Sequence, residues 1–264
     1  MNTIEINPTA KTTTTTNPIE VIDLTVGYGE KILSKHLNFV VHPGEIFVIL
    51  GGSGCGKSSL LKNLFGLYQP MSGQILIQGK DLTKAQGQER QNLMLDFGVM
   101  YQQGALFGSM TLLENVKLIL QEYTALKEDQ MDLIARCTLD LVGLLPYESL
   151  MPSEISGGMQ KRAAIARAMA LNPKILFLDE PSAGLDPVTS AGLDQLIIDL
   201  ARNLQITFVI VTHELASIEA IADRVIMLDK EAQGIIAQGD PKILKTQKEN
   251  KKAYEFFNRI SAST

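Results

Sequence analysis

Gly51, Gly52, Ser53, Gly54, Cys55, Gly56, Lys57 and Ser58 fit the pattern G-x-x-x-x-G-K-[ST], whose chemistry is phosphate binding. Glycines let backbone amides close around an anion, and a helix that starts beside them adds partial positive charge. In this pattern Lys57 reaches the β- and γ-phosphates of ATP, Ser58 ligates Mg2+, and Ser59 carries the loop into the helix. Far downstream, Ile175-Leu-Phe-Leu-Asp179-Glu180 runs four apolar residues into two carboxylates. A buried strand delivers such acids at its C-terminal edge, where open α/β sheets bind ligands. Asp179 would hold Mg2+ through water, and Glu180 would polarise the attacking water. Taken alone, two acids capping a surface strand explain the pair better; its position after the glycine loop reverses that. Ser156, Gly157 and Gly158 offer a second anion site: a hydroxyl, free amides and a helix dipole. One chain cannot easily aim both sites at one γ-phosphate. Two chains facing head to tail can, so the pattern predicts a homodimer with two ATP molecules at its interface.

These residues need a particular scaffold. Strand patterning covers Ile19–Val26, Leu37–Val41 and Ile46–Leu50, the last a bare apolar run suited to burial on both faces. The loop Gly51–Ser59 follows, then a helix over Ser58–Gly66, a short strand Ile75–Gln78 and another at Phe97–Tyr101. A helical block is expected over about residues 104–165. Within it Thr111 and Glu114 form a capping box opening Leu112–Tyr123, and Met131–Val142 has helical spacing. Ser156 opens the Ala-rich helix Gly157–Ala170. Strands return at Lys174–Leu178, Ile206–Val211 and Val225–Leu228, separated by a helix capped by Asp186 with Pro187 in its first turn. Alternating strands and helices imply an α/β fold with a parallel sheet wrapped by helices, into which the helical block is inserted. Residues 1–18, rich in Thr, Asn and Pro, are expected as a disordered arm, and residues 241–264 as a basic tail ending in an amphipathic helix near Tyr254–Ile260. For that tail's lysines a solvated role is favoured over contact with lipid or another subunit.

The 264 residues suit one large domain, and a net charge of −5 argues against nucleic acid as a partner. Cys55 and Cys137 lack metal-ligand spacing and imply a reducing compartment. No apolar run reaches the ~20 residues of a membrane helix, and the start of the chain does not read as a secretory signal. Work at a membrane would therefore fall to a separate spanning subunit.

The segment Ile155-Ser-Gly-Gly-Met-Gln160 resembles the signature sequence of ABC ATPases, L-S-G-G-x-Q, with Ile155 for the leading Leu. The other motifs fall in the order that family uses. Tyr28 resembles the aromatic that stacks on adenine. Gln102 resembles the Q-loop glutamine that touches Mg2+ and the water, with Gln103 beside it as the alternative. Ser182–Asp186 resembles the D-loop that crosses the dimer interface, and His213 the switch histidine at the γ-phosphate; His36 and His42 read as ordinary surface residues. The resemblance covers about residues 19–240 and implies an ABC ATPase domain, an α/β P-loop NTPase core of RecA-like type with an added antiparallel β subdomain and the inserted helical one. It implies Glu180, His213, Gln102 and Lys57 as catalytic residues. Tyr28, residues 51–59, Ser156, Gly157, Gly158 and Asp186 would bind ATP; Ser58, Gln102 and Asp179 would hold Mg2+.

Residues 101–110, 114–116, 155–168 and 180–189 are further similar to ATPases of Mce-type lipid transporters, the Mla (maintenance of lipid asymmetry) group among them. That resemblance implies phospholipid movement between inner and outer membrane. The partners implied are an integral membrane permease, an Mce-domain substrate-binding protein and a STAS-domain protein. The place implied is the cytoplasmic face of the bacterial inner membrane, peripherally bound. The alternatives are an ATPase for another importer or exporter, of a small solute, drug or lipoprotein, and a soluble non-transport ABC ATPase. The apolar residues Ala105, Leu106, Phe107 and Met110 are expected to pack between subdomains or to help receive a permease helix.

Overall fold

The structure is a computed structural model that describes residues 16–260; residues 1–15 of the expected arm and 261–264 of the tail lie outside the described residues. The chain opens with β1 (Ile19–Tyr28), β2 (Lys31–Val41), β3 (Ile46–Gly51), α1 (Lys57–Leu64), β4 (Ser72–Ile77), β5 (Lys80–Asp81), α2 (Gly87–Met94) and β6 (Phe97–Met100). The expected helical block follows as α3 (Leu112–Tyr123), α4 (Glu128–Leu141) and α5 (Gly157–Met169). Then come β7 (Ile175–Asp179), α6 (Pro187–Leu204), β8 (Thr207–Val211), α7 (Leu215–Ile221), β9 (Arg224–Asp229), β10 (Gly234–Gly239), α8 (Pro241–Leu244) and α9 (Lys251–Phe257).

Two sheets result. One is antiparallel, in the order β2-β1-β4-β5, and is the β subdomain that the family resemblance implied. The other has the order β10-β9-β3-β8-β7-β6, with every pair parallel except β9 with β10. Because β3, β8, β7 and β6 are parallel neighbours, the segments that follow them all emerge at one edge. That edge carries the glycine loop, His213, Asp179–Glu180 and Gln102.

Period-2 alternation places the core on both faces of this sheet. In β3, Ile46, Val48 and Leu50 face α3–α7, while Phe47 and Ile49 face α1 and the antiparallel sheet. Thr111 caps α3 reciprocally with Glu114, as its sequence pattern requires.

The tail departs from the polar appendage expected. Leu244, Ala253 and Phe257 of α8 and α9 are buried in the main core. Lys252 pairs with Asp229 at 2.8 Å and Glu231 at 2.7 Å, and Lys245 with Glu219 at 2.7 Å. The lysines that made this stretch look solvated lie on the outer side of helices whose apolar side is anchored. Strand β2 also begins at Lys31, earlier than expected, because its first residues expose Ile32 and bury the polar Ser34, which breaks the apolar–polar alternation.

Candidate nucleotide site

The glycine loop leaves β3 through Gly51, whose φ of 148° only glycine adopts readily; a Cβ there would lie 2.3 Å from the Leu228 carbonyl oxygen. Gly56 takes the left-handed conformation (φ 101°) that turns the chain into α1. A helix's first-turn amides have no intrahelical partner, and α1 starts at the loop's end, so they are available to a phosphate. Lys57 curls over the loop, its Nζ donating to the carbonyls of Gly51 (2.9 Å) and Gly52 (3.1 Å). Cys55 is buried and burial pushes its thiol up, so it packs and contributes its backbone.

Ser58 Oγ donates to Asp179 Oδ1 at 3.3 Å, joining the loop to the end of β7. Asp179 is buried, and burial raises its carboxyl above the ordinary value while the Ser58 hydrogen bond acts the other way. Glu180 follows in a left-handed backbone conformation (φ 49°) that a non-glycine residue holds only when its surroundings dictate it. Its N–H donates to the Val211 carbonyl at 2.8 Å, which ties it to β8. Its Oε1 meets His213 Nδ1 at 2.8 Å, while Oε2 is buried without a partner. A buried acceptor left open in this way suits a reacting water.

Tyr28 reaches α1 through a 2.6 Å hydrogen bond between its hydroxyl and Ser59 Oγ, and its exposed ring meets Tyr68 edge-on at 5.7 Å. Gln102 and Gln103 are both exposed in the segment after β6. Ser156 caps α5, its Oγ accepting from Met159 N at 3.3 Å. Asp186 caps α6, accepting from Val188 N at 3.0 Å and Thr189 N at 3.1 Å. The Thr189 hydroxyl leads the interactions that hold the Asp186 carboxyl below its ordinary range. Among the described residues no hydrogen bond connects Ser156, Gly157 or Gly158 with the loop Gly51–Ser59.

A family model described as ABC transporter matches residues 34–183. The chain belongs to the ABC transporter family. Its ABC fold is shared with the dimeric post-hydrolysis ATP-binding cassette MJ0796 bound to ADP and Pi, at a TM-score of 0.74 and 30% identity over 84% of this chain and 98% of that one. The probable ribonucleotide transport ATP-binding protein mkl of Mycobacterium leprae is 44% identical over 80% of this chain and 60% of its own length. This ABC chain thus spans about three-fifths of that relative. The intermembrane phospholipid transport system ATP-binding protein MlaF of Haemophilus influenzae is 38% identical over 84% of both chains.

Within the ABC fold the starts of α5 and α6 touch. A Cβ on Gly158 would lie 2.4 Å from Thr189 Cγ2. Thr189 cannot swing away, because its hydroxyl is bonded to Asp186 and its β-branched side chain is stiff. Gly158→Ala is therefore expected to destabilise the protein by about 1–3 kcal/mol. Adding Thr189→Ser, which deletes the obstructing methyl and keeps the hydroxyl, should restore most of the loss in thermal unfolding. A single variant as stable as the parent would contradict this packing.

Three contacts that the sequence did not point to hold the segment after β6: Asn115 of α3, and Lys161 and Arg167 of α5, bond to its backbone. Their only sequence signal is polar side chains on otherwise apolar helix faces.

Proposed function

We propose that this chain is the ATP-hydrolysing subunit of a phospholipid transporter, acting as a homodimer with two ATP molecules at its interface. The observation that carries the ATPase reading is the continuous set Lys57, Ser58–Asp179, Glu180–His213 along one sheet edge. In this reading the loop Gly51–Ser59 and Lys57 bind the phosphates, Tyr28 holds the adenine, and Glu180 accepts the proton of the attacking water. His213 orients Glu180 and contacts the γ-phosphate. Ser156, Gly157, Gly158 and Asp186 act across the dimer on the partner's ATP. Ser58, Asp179 and Gln102 present hard oxygen donors of the kind Mg2+ takes, and the ion would neutralise phosphate charge.

The cargo assignment rests on the relative from Haemophilus influenzae, matched over most of both chains. With it come the partners, a membrane permease, an Mce-domain protein and a STAS-domain protein, and a peripheral place on the cytoplasmic face of the inner membrane. No described helix is long and apolar enough to cross a membrane, so a spanning partner is required by this reading. The test is purification of the tagged chain from its native membranes in detergent, with mass spectrometry of bound proteins and lipids. A permease carrying phospholipid is expected. A permease with a nucleotide-binding component instead would move the assignment toward the mycobacterial relative's described cargo.

Asp179 allows a test by pH. Its folded pKa is raised, so its stabilising contribution is full below the unfolded value of 3.8 and is lost as pH rises through the folded one. At neutral pH Asp179→Asn should therefore raise the Tm of the nucleotide-free protein by about 2–4 °C. The gain should vanish below about pH 4, and Mg2+-dependent hydrolysis should be lost at every pH. A lower Tm at neutral pH would sink the electrostatic account.

A further inference from the structure

Residues 102–110, which connect β6 to α3, are held mainly by side chains from elsewhere. Asn115 of α3, fully buried, accepts from Phe107 N at 2.8 Å and donates to the carbonyls of Phe107 (3.1 Å), Met110 (3.1 Å) and Thr111 (2.9 Å). Arg167 of α5 donates to the Ala105 carbonyl and lies 5.6 Å over the Phe107 ring. Lys161, also on α5, donates from Nζ to the carbonyl of Gln102.

Lys161 is the unusual member. It is only 9% exposed, and among the described residues no carboxylate forms an ion pair with it. An ammonium has three donors, and only one carbonyl takes one of them here. Burying a charge so thinly satisfied is costly, whereas a methionine would fill the space without that cost. Burial pushes its pKa below the ordinary lysine value, and the fields of Glu180 and Glu214 act the other way, favouring the ammonium. The lysine therefore stands between the catalytic carboxylate's field, the Gln102 backbone and the helix that Ser156 opens.

We propose that Lys161 is a positioning residue for hydrolysis: its buried ammonium pins the Gln102 carbonyl to α5, fixing where the Gln102 side chain enters the site and linking that position to Ser156. This rests on the assignment of Gln102 to the active site made above. Packing by α5 alone would hold the backbone in place with any apolar side chain at this position. A charged donor aimed at the residue that bears the glutamine does more: a shift of α5 along its axis must move Gln102 as well.

The test uses the full chain in its transporter complex, with ATP turnover measured for Lys161→Met, Gln102→Ala and the double variant. Lys161→Met is expected to lower kcat about tenfold with KM for ATP within about twofold, and to leave Tm equal or higher. In the Gln102→Ala background it should cost nothing further, because the lysine acts through the glutamine. Should Lys161→Met fail to fold, Lys161→Gln, which keeps an N–H donor without the charge, takes its place under the same non-additivity criterion. The proposal is overturned by unchanged kcat in Lys161→Met while Gln102→Ala is impaired, or by independent, multiplicative losses. An unimpaired Gln102→Ala would instead remove the underlying assignment of Gln102.

Discussion

Glu180→Gln yields a protein that binds ATP and closes around it but turns it over about a thousandfold more slowly, in the middle of the range that loss of a general base costs. The substitution preserves shape. The backbone hydrogen bond from residue 180 to Val211 is untouched, and the left-handed φ is no harder for Gln than for Glu. The amide can still meet His213 Nδ1, whose ring changes tautomer to suit. What disappears is the buried open acceptor, Oε2, as a proton-accepting carboxylate oxygen. Removing its negative charge from beside the bound phosphates also favours the closed state. Phosphate release and size-exclusion chromatography with ATP read the two halves of the expectation, and hydrolysis within tenfold of the parent would remove Glu180 as base.

Mixing two inactive variants should restore activity. In the proposed reading, homodimers of Lys57→Ala lack the ammonium that would bind the phosphates, and homodimers of Ser156→Arg fill the second anion site with a bulky cation. In a mixed dimer, one of the two sites combines the intact Lys57 of one protomer with the intact Ser156 of the other. Random assortment then gives about a quarter of the parent rate if each site works independently. The separation of Ser156 from the phosphate loop within one chain motivates this. The variants share no contact, so recovery cannot come from repair inside one chain. A mixture as inactive as its components would rule out a site shared between protomers.

Much of this molecule was legible because its motifs are local. The apolar run of β3, the glycine pattern after it and the Thr111–Glu114 box each bring the partners they need within a few residues. The start of α3 follows from its cap alone. What escaped depends on distance or on faint amphipathicity. Helix α2 is polar except for the adjacent pair Leu93 and Met94, of which only Leu93 is buried, so it has almost no periodic signal. Strand β10 is a half-buried hydrophobic pair between glycines. In α9 the buried positions are only Ala253 and Phe257, and five lysines in the surrounding stretch mask them. The Lys161–Gln102 contact spans α3, α4 and the turns between, and neither residue's neighbours announce it.

The order of strands in the parallel sheet has a consequence for biogenesis. β3, made early, finds its hydrogen-bonding neighbours only in β8 and β9. A ribosome must therefore pass Asp229 before this strand has both partners; a bare apolar strand waits with two open edges until β8 is made and with one until β9 follows. Such non-local pairing is slow and exposes the nascent chain to self-association. The same order means that no early fragment can assemble the phosphate loop beside Asp179, Glu180 and His213. A stalled or truncated chain is thus a hazard to solubility but not a stray consumer of ATP, and the enzyme's completion is timed by the arrival of its last parallel strands.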